Sequence, residues 1–359
     1  MSKTSPKKCL IIVLAFLIST GKANADFTFG EPVNMGSTVN SSAWDGGPSI
    51  SADGLTLFFD SFRPGGAGGQ DLWVTTRETT DDEWGEPVNL GRTVNSSAHE
   101  WQPSISTDGL SLYFGVGWNL WITTRETRDD AWGTPVNLGS TINSSSWELA
   151  PSISSDELSL FFSSNRSGGS GGQDIWVSTR ETKNNPWGTP VNLGPIVNSS
   201  DDDVAPSISS DGLSLFFIDY PNTRPGGYGG PDLWVTMRAT TNDPWSTPMN
   251  LGSTVNSASR DDAPEISTDG FTLYFPSNRS GGAGDMDLWQ VSIEPVVDLN
   301  ADGIVDAADM CIIVDYWGTD EPLCDIGPTP LGDGIVDVQD LIVLAEHLFE
   351  EYPPVEPVE

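Results

Sequence analysis

Between residues 29 and 293 short apolar runs alternate with glycine, proline and aspartate, and the same pattern returns five times. Each unit opens on proline and a short strand signal: Pro48-Ser49-Ile50-Ser51, Pro103-Ser104-Ile105-Ser106, Pro151-Ser152-Ile153-Ser154, Pro206-Ser207-Ile208-Ser209 and Pro264-Glu265-Ile266-Ser267. An Asp-Gly turn follows in four units (Asp53-Gly54, Asp108-Gly109, Asp211-Gly212, Asp269-Gly270), then an alternating apolar run such as Leu55-Thr56-Leu57-Phe58-Phe59. Two such runs joined by Asp-Gly predict a hairpin. A third strand is expected at Asp71–Thr76 and its copies, and a fourth at Pro87–Leu90 and its copies. Helix signals are absent here, because Gly and Pro punctuate too often.

The opening prolines lie 55, 48, 55 and 58 residues apart, a period that belongs to propellers and solenoids. Four strands per unit, five times, predict an all-β five-bladed β-propeller over residues 26–293. The second strand is apolar on both faces, with Leu55, Leu57 and Phe59 on one and Phe58 on the other. A sheet packed between two others needs that. Trp73, Trp121, Trp176, Trp234 and Trp289 recur at one position of the third strand, where packing between blades is their expected role. The last unit ends at Asp287–Ile293 without a fourth strand, while Phe29-Gly30-Glu31-Pro32-Val33-Asn34 matches Trp84–Asn89. The N-terminal segment should therefore complete the last blade and remove two free sheet edges.

Two units depart from the pattern. Unit three has Asp156-Glu157 in place of Asp-Gly; a positive φ at Glu157 would cost on the order of 1 kcal/mol. Unit two lacks the Gly-rich loop that runs from Arg63 to Asp71, Arg166 to Asp174, Arg224 to Asp232 and Arg279 to Asp287, and keeps only Gly115–Asn119. Arginine and aspartate vanish together there, so a bond between them is expected to hold each loop shut. Ligand binding by these loops is the alternative.

The Ser-x-Asp-Gly-x-x-Leu-x-Phe run and the stretch Ser277–Trp289, Ser-Asn-Arg-x-Gly-Gly-x-Gly-x-x-Asp-Leu-Trp, resemble the PD40, or WD40-like, repeats of TolB-type propellers. The resemblance implies a binding platform at a cell surface or beyond the inner membrane more than it implies catalysis.

The chain ends add export and charge. Lys3, Lys7 and Lys8 precede an apolar stretch Cys9–Ile18, and Ala23-Asn24-Ala25 forms a small-x-small site. This predicts a signal peptide over residues 1–25 and a secreted or cell-surface protein. The apolar stretch is too short to span a bilayer, and no later one is longer. The whole chain carries a net charge of −35. Cleavage removes four of the 16 basic residues and no acid, leaving 12 against 51 and a net charge of −39. Such a surface repels nucleic acid and anionic membranes. A monomer is expected. Cys311 and Cys324 are the cysteines left after cleavage; in an exported chain they suggest one local disulfide, with two free thiols as the alternative.

Asp298-Leu-Asn300-Ala-Asp302-Gly303-Ile304-Val305-Asp306-Ala-Ala-Asp309 places oxygen side chains at loop positions 1, 3, 5, 9 and 12. Gly303 falls where the loop must turn and Ile304 where a carbonyl is offered. This is the ligand spacing of an EF-hand calcium loop, with aspartate for the last glutamate. A helix is expected over Ala308–Trp317, with Met310, Ile313, Val314 and Trp317 on one face. A second copy, Asp333-Gly334-Ile335-Val336-Asp337-Val338-Gln339-Asp340, matches positions 5, 6, 9 and 12, but Thr329 and Leu331 fall at positions 1 and 3. Either this site is weak or Asp325 reaches in through a longer loop. Its helix, Asp340–Phe349, keeps Leu341, Leu344 and Leu348 in step. Two loop-helix units over residues 298–349 resemble a dockerin, after a linker at 294–297. That implies calcium as the cofactor and attachment to a cohesin-like or cell-surface protein. The loops carry Ala307-Ala308 and Val338-Gln339 where dockerins commonly present polar contacts. Residues 350–359, rich in Pro and Glu, are expected to be disordered.

Candidate chemistry in the propeller lies just before each proline. Asp45, Glu100, Glu148, Asp203 and Asp261 occupy one repeated position, and a repeated acid is expected to cap backbone N–H groups. The neighbours that do not repeat, Trp44, His99, Trp101, Trp147, Asp202, Arg260 and Asp262, are the better ligand candidates. Rings with carboxylates and an arginine suit a glycan. An extracellular polysaccharide-degrading glycoside hydrolase is the alternative to a non-catalytic binding protein. The acids are too many to select a catalytic pair, and no nucleophile motif is present.

Overall fold

The computed structural model describes residues 27–221, 224–319 and 321–351. The expected signal peptide lies outside them, as do residues 352–359 of the expected tail. The chain forms a mainly β five-bladed propeller, with two short helices in its C-terminal segment.

Four antiparallel sheets follow one another in chain order. Blade 1 comprises Asp45–Ile50, Thr56–Ser61, Asp71–Thr76 and Val88–Asn89. Blade 2 comprises Glu100–Ile105, Ser111–Val116, Asn119–Thr124 and Val136–Asn137. Blade 3 comprises Glu148–Ile153, Ser159–Ser164, Asp174–Thr179 and Val191–Asn192. Blade 4 comprises Asp202–Ile208, Ser214–Tyr220, Asp232–Met237 and Met249–Asn250. Blade 5 joins both parts of the chain: Glu265–Ile266, Thr272–Ser277 and Asp287–Pro295 lie side by side, and the last of them also pairs with Val33–Asn34 and Phe27–Phe29.

The ring closes through the N-terminal segment, with Val33 opposite Gln290 and Asn34 opposite Trp289. Beyond that, Phe27–Phe29 pairs with Ile293–Pro295, which lengthens the clasp. A repeated asparagine adds a further link. Asn95 exchanges both amide bonds with the backbone of Leu72, and Asn40 does the same with Leu288 across the closure, at 2.7 and 3.0 Å. The side-chain amide thus takes the place of a neighbouring strand.

Both faces of the second strand are buried, as its pattern requires. Leu57 and Phe59 pack with Tyr274 and Leu288 of blade 5, and Trp73 joins them. Phe58 packs with Leu112 and Phe114 of blade 2. Around the axis the blades are tied by one repeated bond. Ser49, Ser104, Ser152 and Ser207 accept from the backbone N–H of Ile105, Ile153, Ile208 and Ile266 at 3.0–3.1 Å. Glu265 takes the fifth place and accepts from the Ile50 N–H at 3.3 Å. Glu157 does adopt φ 59°, and its carboxylate is held by Lys183 at 2.6 Å.

The Gly-rich loops differ from expectation. Arg63, Arg166, Arg224 and Arg279 do not bond Asp71, Asp174, Asp232 and Asp287. Each reaches the acid that precedes the proline, Asp45, Glu148, Asp203 or Asp261, at 2.6–3.0 Å. Asp71 instead accepts from the Ala67 N–H at 2.5 Å and from the Asn89 amide. The loop is thus anchored separately at its two ends, by Arg63 on Asp45 and by Asp71.

The segment at 294–297 is no free linker: Glu294 and Pro295 pair with Thr28 and Phe27, and Val297 is buried. Helices span Ala307–Asp315 and Val338–Glu346, each opened by a capping box, Asp306 with Asp309 and Asp337 with Asp340. Ile313 and Leu344 are buried between them, while Val314 and Trp317 are exposed, contrary to the expected apolar face. Cys324 lies in this core and Cys311 half-buried on the first helix. The expected disulfide between them is not formed in this structure. Glu350 and Glu351 are not loose tail: Val305 donates to the Glu350 carbonyl, and Ile304 bridges Glu351. In the first loop Asp298 accepts from the Asp302 and Gly303 N–H groups. In the second, Asp325 accepts from Asp333 and Gly334. Asp325 is therefore the counterpart of Asp298, with four more residues in between. Leu331, from that insertion, joins the buried apolar cluster formed mainly by blades 4 and 5 of the propeller.

Candidate ligand cavity at the channel mouth

A bulge precedes the proline on the inner strands of blades 1–4. The residue just before the proline is left-handed in every blade: Gly47, Gln102, Ala150, Ala205 and Ala263 have φ between 32° and 54°. The bend sorts the preceding side chains. Those three before the proline turn into the sheet and are fully buried. Asp45 accepts from Ser41 N–H at 2.6 Å and Ser61 hydroxyl at 2.5 Å as well as from Arg63. Glu100, with no arginine partner, keeps its bonds to Ser96. These acids fasten loops, as their repetition suggests.

The residues two and four before the proline surround one end of the channel, which widens there into a cavity of about 520 Å³. Of the seven candidates, Trp44, Trp101, Asp202, Arg260 and Asp262 line it. His99 and Trp147 stand beside it in a row of rings. Phe62 meets His99 edge-on at 5.5 Å, and His99 stacks on Trp101 at 6.0 Å. Trp101 meets Trp118 at 5.1 Å, and Trp118 stacks on Trp147 at 4.8 Å. His99 and Asp202 also serve the frame, accepting from the N–H of Gln70 and Gln173 at 3.2 and 2.7 Å. Asp262 accepts from Arg260 Nε at 2.7 Å, and the guanidinium lies over Trp44 at 5.2 Å and Tyr220 at 5.9 Å.

Sequence reasoning missed the floor. Asp60 follows Phe59 where the other blades have Gly115, Ser163, Ile218 and Pro276. It is buried yet borders the cavity, and accepts from Gln102 N–H at 2.7 Å and from the Gln70 amide. Burial, above all, raises its carboxyl to about 7; the Asp262 charge pushes the same way, while the two hydrogen bonds oppose. Gly47 makes room for it, since a Cβ there would strike the Asp60 carboxylate. Phe62, Trp118, Tyr220 and Gln173 were also missed as lining residues. An alignment of the five second strands shows the lone acid; the ring row has no repeat signal. The arrangement offers ring faces, amides and carboxylates to a polar ligand, and a carboxyl able to carry a proton near neutral pH.

No group of three or more acid, histidine or cysteine side chains is gathered as a metal site among the described residues. Nor is any described helix long and apolar enough to cross a membrane.

No protein-family model matches the chain, and no curated protein does. Solved structures share its fold. The α-L-arabinofuranosidase from Lactobacillus brevis superposes with a TM-score of 0.50 at 13% identity, covering 73% of this chain and 94% of that one. A thermostable family-43 glycoside hydrolase gives 0.48 at 10%, covering 72% and 91%. TolB from Acinetobacter baumannii gives 0.45 at 14%, covering 72% of this chain and 56% of that one. At these identities the likeness is one of fold.

Proposed function

We propose that this is an exported, non-catalytic carbohydrate-binding propeller, tethered through a calcium-binding C-terminal module of dockerin type. One observation carries the binding reading: aromatic faces and bonded polar groups converge on a single cavity at the channel mouth. Rings stack on the apolar faces of sugars while amides and carboxylates bond hydroxyls, and the cavity volume falls within the range of small-ligand sites. The test is a glycan array with the mature chain, followed by product analysis on every sugar retained. Binding without turnover is expected. Retention of no sugar would refute the reading.

The glycoside hydrolase reading is favoured by Asp60, a buried carboxyl raised to about 7 with Asp262 close enough to affect it. Asp60→Asn separates the two. A binding protein should lose about tenfold in affinity, since one polar contact is altered. Sugar release by the wild type that vanishes in the variant would favour the hydrolase.

The tether rests on the oxygen spacing of two loops and on their matched hydrogen bonds. Asp298, Asn300, Asp302, Asp306, Asp309 and the Ile304 carbonyl would hold calcium in the first loop. Asp325, Asp333, Asp337 and Asp340 would do so in the second. Bound calcium supplies a charge that links the loops to their helices. Exposed Val314, Trp317 and Val338 suit attachment to a cohesin-like or cell-surface partner. Calorimetric titration of the mature chain with calcium should show binding that Asp302→Ala reduces at least tenfold. No heat of binding in the wild type would overturn the calcium assignment.

A further inference from the structure

We propose that the cavity takes the end of an unbranched, uncharged oligosaccharide, whose chain leaves the channel through a gap in blade 2 and runs over Trp101, Trp118 and Trp147. The inference rests on the reading of the cavity as a carbohydrate site, and it adds direction, charge and path.

Direction follows from the constriction below. Where Gly47, Gln102 and the three alanines face one another with their prolines, the space falls to about 20 Å³. That is room for little more than one water. A polymer cannot thread through, so a ligand enters this cavity by an end.

The path follows from the missing loop. Blades 1, 3, 4 and 5 carry a Gly-rich loop between their second and third strands; blade 2 has only the turn Gly117-Trp118. Trp118 stands in that turn at φ 68° and is 44% exposed. The tight two-residue hairpin requires positive φ at both positions, and a bulky residue there is unfavourable, so the fold bears a cost to carry this ring in the turn. Gly115 lets the Trp101 indole lie across its strand, since a Cβ there would run into the ring. The rings then lead outward: Trp101 borders the cavity, Trp118 the rim, and Trp147, 43% exposed, lies beyond it. Exposed rings in sequence fit successive sugar faces.

Charge selects the glycan. Asp60, Asp202 and Asp262 border the cavity, and its one arginine, Arg260, is already bonded to Asp262. With a net charge of −39 after cleavage, uronate or sulfated chains are repelled.

The experiment is calorimetry of the mature chain against linear gluco-, xylo- and manno-oligosaccharides of graded length, with cyclic glucans and oligouronates beside them. In the sugar series that binds, affinity should rise with length. Trp147→Ala should lower affinity for the longest oligomer about 2- to 10-fold and leave that for the shortest unchanged, whereas Trp118→Ala, at the cavity rim, should lose more for the longest oligomer than for the shortest. Trp44→Ala should weaken every length. Trp118→Phe should recover most of the loss, and unchanged melting of each variant excludes misfolding. Cyclic glucans and oligouronates should not bind. A loss of affinity in Trp118→Ala that is the same at every length, or tight binding of cyclic glucans or oligouronates, overturns the path, the end-on entry or the charge while leaving the cavity a sugar site. Binding of no sugar at all overturns the reading beneath it.

Discussion

Toward the wide end of the channel the five blades place Asp60, Gly115, Ser163, Ile218 and Pro276 at one equivalent position, and toward the narrow end Ser49, Ser104, Ser152, Ser207 and Glu265 at another. Each ring holds one acid among five equivalent positions, and burial raises both acids to about 7. A raised pKa therefore does not tell the two apart. Surroundings do. Glu265 replaces a serine and is enclosed by three donors: Ser49 hydroxyl at 3.1 Å, Ile50 N–H at 3.3 Å and Ser207 hydroxyl at 3.0 Å. The spaces beside it are only about 40 and 20 Å³. Asp60 has two donors, a glycine that clears its other flank, and the large cavity before it. An acid answered from all sides holds a fold together, whereas one left with open space beside it can meet a ligand.

The largest effect should come from breaking the narrow ring. Glu265→Ala leaves two hydroxyls and one N–H without their acceptor, which at typical values for buried groups costs about 3 kcal/mol. Glu265→Ser restores the residue the other four blades carry, and should stay within about 0.5 kcal/mol of wild type. Neither change touches the wide end, so sugar affinity should not move in Glu265→Ser. Urea unfolding of both variants, with calorimetry on the second, checks this. Equal destabilisation by the two would mean the carboxylate has a role that a serine hydroxyl cannot fill.

The same contrast explains what the sequence disclosed. Blade number and closure were legible because proline, Asp-Gly and period-two runs repeat, and because Val33-Asn34 copies Val88-Asn89. The extra pairing of Phe27–Phe29 was not, since no other blade extends its third strand as far as Pro295. The arginine partner was misjudged for a related reason. Arginine and aspartate disappear together from blade 2 because one loop is lost, not because they touch; the true partner lies 18 residues before Arg63. Trp44, Trp101, Arg260 and Asp262 were found by their failure to repeat, but Asp60 sits inside an otherwise conforming strand. In the C-terminal segment, Thr329 and Leu331 looked like defects in a calcium loop. They belong to an insertion whose Leu331 docks on the propeller, and Asp325 makes the backbone bonds that Asp298 makes in the first loop.

A smaller effect, in pH, sharpens the comparison further. Asp60 and Glu265 have ordinary values of 3.8 and 4.5 and are each raised to about 7 in the fold. Between about pH 4 and 7 the folded chain holds protons that the unfolded chain releases, so these groups stabilise it fully below that window. The contribution is lost as pH rises through 7, at no more than about 1.4 kcal/mol per pH unit for each proton. Glu265→Gln keeps acceptor and donor in place of the carboxyl and should flatten the fall in stability between pH 5 and 7. Asp60→Asn should flatten it by a similar amount. Saturating oligosaccharide should alter the slope in wild type and Glu265→Gln but not in Asp60→Asn, because only Asp60 borders the cavity. Urea unfolding at pH 5, 6 and 7, with and without sugar, reads all three. A ligand-dependent slope that survives Asp60→Asn would place the responsive proton elsewhere and remove Asp60 from the site.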